Sequence, residues 1–242
     1  MFTKSTYLFL CLSTNVLGHG YVREYTFDGV GYVSYLPYDR PDFTQPPESI
    51  ARFLGNGINP LKDPLDISIT CGKDAYPAPK MANVTAGSTF MVQWNEWPHT
   101  GPIYTYMARC PNGQDCSDFS GTSGDHWFKI EEHGIIEYDS TSGLAWAAQK
   151  MYDADNTWNI TIPPCIAPGP YIIRHETMAI QDSDEPGGAQ FYPQCSQVWV
   201  SGGVEPTVEP TLVSLPGDIQ PDDPGVLFDR KAALESGEYT CP

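Results

Sequence analysis

Histidine is scarce in this 242-residue chain, and the five that occur are His19, His99, His126, His133 and His175. Each is a candidate metal ligand or proton carrier, because imidazole titrates near neutral pH. His19 follows Gly18, just past the short apolar run "YLFLCL" (7–12). Cleavage after Gly18 would make His19 the first residue. An N-terminal histidine offers an α-amine with an ordinary pKa of roughly 8, whose proton a metal readily displaces. Its ring Nδ1 can bind the same ion and close a chelate. A second imidazole would complete a planar set of nitrogens, which suits Cu(II), whereas zinc favours a tetrahedral arrangement.

The second imidazole is sought in "WNEWPHTGP" (94–102), where His99 lies on a Pro- and Gly-bounded loop directly after a strand pattern. A loop histidine bonded to its own turn is the plainer alternative. In "GGAQFYPQC" (187–195), an extended backbone puts Gln190 and Tyr192 on one face and Phe191 and Cys195 on the other. One face then carries an amide and a phenol, and a phenol oxygen is a reasonable weak axial ligand for copper. A sheet tyrosine that simply bonds a neighbour is the competing reading.

The elements that must hold these residues are short strands. "DISIT" (66–70), "TFMVQW" (89–94), "IYTYMARC" (103–110), "WNITI" (158–162), "YIIRHETMAI" (171–180) and "SQVWVSG" (196–202) have strand composition, and most are bounded by Gly or Pro. "SGLAWAAQKMY" (142–152) suits a short helix covering a sheet edge. The polar, aromatic stretch 28–64 is a long loop of the kind that serves function. Residues 203–224 are Pro-rich and are expected to wrap the same domain in extended form. The fold class expected is all-β: a single immunoglobulin-like β-sandwich with long decorated loops and short helical insertions.

Composition narrows the partners. The net charge of −17 leaves no basic footprint for nucleic acid and none for an anionic membrane. Residues 1–18 read as a secretory signal, with Lys4 in the n-region and Val16 and Gly18 as small residues before the cut. Residues 19–242 then form one catalytic domain without an appended carbohydrate-binding module, and the protein is expected to be extracellular and monomeric. Cys11 leaves with the signal, so Cys71, Cys110, Cys116, Cys165, Cys195 and Cys241 remain. An even count in an exported chain favours disulfides. Asn83 ("NVT") and Asn159 ("NIT") are glycosylation sequons.

The order of "HTGP" (99–102), "WFKI" (127–130), "IPPCIAPGPYIIRHE" (162–176), "GAQFYPQC" (188–195) and "VSLPGDIQPDDPGVL" (213–227) behind an N-terminal histidine resembles the fungal lytic polysaccharide monooxygenases of auxiliary-activity family nine, once classed among glycoside hydrolases. The resemblance covers essentially the whole chain after residue 18. It implies one copper ion held by His19 and His99, with Tyr192 axial and Gln190 hydrogen-bonding an oxygen species at the metal. It implies disulfides Cys71–Cys195 and Cys110–Cys116, which leaves Cys165 and Cys241 to pair by elimination. It also implies oxidative cleavage of a β-1,4-glucan, cellulose or a hemicellulose, at C1 or C4 of the sugar, with an external electron donor and O2 or H2O2.

Two departures from the family pattern stand out. Gln181 occupies the place of a histidine that usually lies near the metal, and an amide cannot deliver a proton as imidazolium does. "DPGVLFDRKAALES" (223–236) offers Phe228, Arg230 and Lys231 and no tyrosine where a sugar-stacking ring is expected. Tyr32, Tyr35 and Tyr38 are the remaining candidate stacking rings. A catalytically weak copper- or carbohydrate-binding relative is therefore the alternative. A plain hydrolase would need two facing carboxylates, for which Asp125, Glu131 and Glu132 are available but unpaired by any pattern.

Overall fold

The computed structural model describes residues 19–37, 48–139, 143–205 and 209–242. The signal segment, Cys11 and Tyr38 therefore lie outside the described residues.

Eleven strands form the scaffold: β1 (Val22–Phe27), β2 (Val30–Val33), β3 (Ala82–Thr85), β4 (Thr89–Trp94), β5 (Ile103–Arg109), β6 (Trp127–His133), β7 (Ile135–Asp139), β8 (Gly143–Trp146), β9 (Thr157–Thr161), β10 (Gly169–Ala179) and β11 (Gln190–Ser201). They make a four-stranded sheet in the order β2-β1-β4-β9, a five-stranded sheet in the order β3-β11-β10-β5-β6, and the β7-β8 hairpin. Only β3 runs parallel to its neighbour, β11. Among the described residues there are two short helices, α1 (Ala147–Asp153) and α2 (Arg230–Ser236). It is the all-β sandwich expected from the sequence.

Alternation along the strands produces two cores. Between the sheets, Val22, Tyr25, Phe27, Phe90, Val92, Trp94, Tyr171, Ile173, Tyr192 and Val198 pack together. On the back of the five-stranded sheet, Tyr104, Tyr106, Trp127, Ile172, Met178, Phe191 and Cys195 are roofed by Ile69, Leu215 and Ile219 from loops. β10 is buried at every position because both of its faces are covered. The even-numbered side of β10 carries Arg174, whose Nη1 pairs with Glu176 at 2.7 Å. The Arg174 Nε donates to the carbonyls of Ile69 and Thr70. The disulfide Cys71–Cys195 pins the same loop to β11, and Cys110–Cys116 closes the loop after β5.

Four sequence expectations are corrected here. "DISIT" is not a strand; Ile67–Ile69 form a 3₁₀ turn, because the Asp66 carboxylate accepts from Ser68 N at 2.7 Å and caps it. The stretch 28–64 contains β2, and Gly143–Trp146 is a strand, so the helix begins only at Ala147. Cys165 and Cys241 do not pair. Cys165 is exposed in the loop before β10, while Cys241 is half-buried against Tyr104, Tyr239 and Glu132, where burial and then Glu132 push its thiol up to about 11. An even count does not bring two Cβ atoms within bonding reach.

Candidate metal centre

The N-terminal segment reaches the site by strand pairing. Val22 lies opposite Trp94, which carries Tyr21, Gly20 and His19 back alongside the loop that follows β4. Asn95 straps the two together. Its Oδ1 accepts from Tyr21 N at 2.7 Å, its Nδ2 donates to the His19 carbonyl at 3.4 Å, and its own N donates to Tyr21 O at 3.0 Å. Val22 N donates to Gln194 Oε1 at 2.8 Å, so β1 is also tied to β11 across the sandwich. Gly20 passes over the Trp97 indole so closely that a Cβ would lie 2.4 Å from the ring. The "HG" pair therefore needs its glycine.

The loop bearing His99 is fixed at both ends. Asn156, in the left-handed region (φ 60°), accepts from Trp94 N through its carbonyl and from Trp97 N through Oδ1, each at 2.9 Å. Beyond His99 the chain continues β5 against β10: Ile180 N donates to Thr100 O and Met178 N to Pro102 O. A Cβ on Gly101 would meet Met178 O at 1.8 Å, which explains why "HTGP" carries glycine there.

The His19 and His99 ring centroids stand 6.4 Å apart, and the His19 and Tyr192 centroids 6.2 Å. Trp97 packs edge-on against both His99 and Tyr192. With imidazole–metal bonds of about 2 Å, two rings on opposite sides of one ion stand about 6 Å apart, so the observed separation fits a shared metal. Burial, and then the neighbouring His99, hold the His19 imidazole below its usual pKa. That favours the neutral, metal-binding form. Burial pushes the Tyr192 phenol well above its usual range, so it stays protonated, and its hydroxyl donates to Gln190 Oε1 at 3.1 Å. Gln190 and Tyr192 are 8% and 3% exposed and share a face of β11. Among the described residues no group of three or more His, Cys, Asp or Glu converges.

Gln181 belongs to the same neighbourhood. Thr177 lies opposite Ile103, and extending that register through the Ile180–Thr100 bond places Gln181 opposite His99. It stands half-buried at the start of the turn that follows β10. Its Oε1 is buried without a hydrogen-bond partner.

The other histidines are elsewhere. His126 packs edge-on against Phe119, and His133 faces Trp158 and Glu131. His175 is fully buried between the sheets against Trp94 and bonds Thr105 Oγ1 at 3.0 Å, a structural position. One stacking candidate is corrected: Tyr35 is 2% exposed and packs on Phe53, because an apolar loop ring found core neighbours. Tyr32 is half-buried on β2, opposite Tyr25 and with its ring near Phe27. The carboxylates do not face one another either: Asp125 accepts from Ser214, Glu132 pairs with Lys129 at 2.7 Å, and Glu131 accepts from Trp158 Nε1. Asn83 and Asn159 occupy exposed positions on β3 and β9.

Asn95, Asn156 and Gln194 were not legible as site residues, although an asparagine after each strand or helix is a turn signal. Comparison with known proteins decides the family: the model for Auxiliary Activity family 9 (formerly GH61) matches residues 19–239. The chain belongs to that family. Its members are lytic polysaccharide monooxygenases, and this chain is accordingly an oxidoreductase of polysaccharide degradation. It is 43% identical over 226 residues to a family 9 monooxygenase B of Malbranchea cinnamomea, covering 90% of this chain and 87% of the relative. It is 40% identical over 240 residues to a monooxygenase A of Gloeophyllum trabeum, covering 95% and 72%. The crystal structure of a cellulose-active polysaccharide monooxygenase from M. thermophila superposes with a TM-score of 0.76 at 30% identity, covering 93% of this chain and 96% of that one. Among the described residues no helix is long and apolar enough to cross a membrane.

Proposed function

We propose that this protein is secreted, cut after Gly18, and would hold one copper ion through the His19 amine and ring and the His99 ring, with Tyr192 as a further weak donor. In that form it cleaves a β-1,4-glucan oxidatively at C1 or C4, fed by an external electron donor and O2 or H2O2. The observation that carries this reading is the convergence of His19, His99 and Tyr192, with ring separations of 6.4 and 6.2 Å, on a face that also presents Gln190.

Bound copper would supply the one-electron chemistry toward oxygen that removal of a sugar C–H hydrogen requires. The chain's own residues do the rest. Asn95 and Gln194 fix the segment that delivers His19, and Asn156 fixes the loop that delivers His99. Tyr192 keeps its proton and is oriented by Gln190 Oε1. The Gln190 amide nitrogen remains as a donor toward a reactant in the site, and Gln181 Oε1 as an acceptor. Neither amide carries a transferable proton at neutral pH, so protons for the reaction come from solvent.

Mass spectrometry of soluble products from amorphous cellulose, incubated with copper-loaded protein, ascorbate and oxygen, tests this reading. Oxidised oligosaccharides are expected, and His99→Ala should lose them together with tight copper binding. Stoichiometric copper without oxidised products on any β-glucan would instead favour the catalytically weak binding relative, for which Gln181 opposite His99 is the specific motive.

A further inference from the structure

We infer that the cleft at the far end of the sandwich from the metal centre, between β6 and the loop that precedes β10, binds a small neutral aromatic molecule bearing a hydroxyl, that is, a phenol. The site is separate from the glucan reading above.

The cleft follows from an unequal pair of sheets. The four-stranded sheet ends at β9 and the five-stranded sheet at β6. These edge strands meet toward the metal end, where Trp158 of β9 donates to Glu131 of β6. Toward the other end they part: β9 runs out at Thr161, while β6 begins at Trp127, bridged to Val213. Phe128 and Ile130 are left half-buried at the rim of the inter-sheet core. The gap encloses about 470 Å³, and Ile166 and Leu212 supply its other apolar walls. That is within the usual range for small-ligand clefts, roughly 300–1,000 Å³. Tyr171, near the head of β10, also lines the gap. At about 3.3 Å per strand residue from Tyr171 to Gln181, cleft and metal centre stand about 30 Å apart.

The lining selects the ligand. Leu212 is 45% exposed, so an apolar ring laid on it takes hydrocarbon surface out of water. Phe128 already stands edge-on to Tyr171 at 6.5 Å, and a ligand ring adds a further aromatic neighbour. The polar rim carries Arg109, Glu205 and Glu209. Arg109 donates from Nη2 to the Pro168 carbonyl at 3.3 Å and stands 3.9 Å from Glu205. A guanidinium has five N–H donors, so others stay open to a ligand. Lys129 is engaged with Glu132 and the Pro242 carbonyl, and the Tyr171 hydroxyl with the Ala167 carbonyl. A ligand carboxylate would meet the two glutamates, and an ammonium would meet Arg109. A neutral hydroxyl satisfies both, accepting from the guanidinium and donating to a glutamate.

Cys165 is exposed and lines the cleft, which makes its thiol a local reporter. Calorimetric titration of the chain beginning at His19 with 4-ethylphenol tests the site, with the methyl ether 4-ethylanisole as control. One-to-one binding is expected, equal with and without copper. The ether should bind about fivefold more weakly, the worth of one or two net hydrogen bonds. Leu212→Asp, at an exposed position, should weaken binding at least about tenfold, the scale of one apolar contact in a pocket. In the metal-free Cys241→Ser chain, 4-ethylphenol should slow alkylation of Cys165 by iodoacetamide in step with the occupancy found by calorimetry. Absence of binding, equal affinity for the ether, a requirement for copper, binding that Leu212→Asp leaves intact, or an unslowed Cys165 would each overturn the site.

Discussion

His19 is placed by main-chain pairing and by amide side chains distant in sequence. Asn95 reaches Tyr21 across 74 residues and Gln194 reaches Val22 across 172. The residues proposed to do the chemistry, His19, His99, Tyr192 and Gln190, could be singled out in the sequence because few side chains bind copper or orient oxygen. The supporting amides could not, because an asparagine that holds a remote backbone looks like any turn asparagine. Asn95→Ala removes two hydrogen bonds to 19–21 and should weaken copper binding roughly tenfold, the usual size for groups that orient ligands, as measured by competitive titration. Gln181 is the other residue-scale question. Gln181→His would place a proton donor opposite His99 and is expected to raise product formation below pH 6 by about a hundredfold, at the lower end of general-acid effects. A flat pH profile in that variant would show that solvent already suffices.

Among the elements, β10 carries the most consequence. It is paired on both sides and buried on both faces, with His175 at its centre. Burial, and then Arg174, lower the His175 imidazole to about 3. The unfolded chain binds this proton near 6.5, so unfolding takes it up between those values and stability falls as pH drops from about 6.5 toward 3. The loss from this group approaches about 1.4 kcal/mol per pH unit in the middle of the window. Denaturant melts of His175→Gln should show a shallower acid limb than wild type, whatever the variant costs at pH 7. Thr89–Trp94 was legible because β-branched and aromatic residues dominate it, and Gly169–Ala179 because Gly and Pro open a run that begins Tyr-Ile-Ile. β6 was missed because "KIEEH" is charged and half-exposed along an edge, and Asp66 turned an apparent strand into a 3₁₀ turn.

At the scale of the whole molecule, the acidic balance and the two disulfides suit a secreted protein, and the sandwich leaves two thiols outside that framework. Thiol titration of the unfolded, unreduced chain beginning at His19 should find two reactive cysteines. None would restore the Cys165–Cys241 pairing. The central claim is narrower: the metal centre exists only when His19 is the first residue. Copper titration of the chain starting at His19, beside the same chain with its N-terminal amine acetylated, tests it most directly. Loss of the amine ligand should weaken the one-to-one site by at least about a hundredfold, and equal affinities in the two forms would contradict the account.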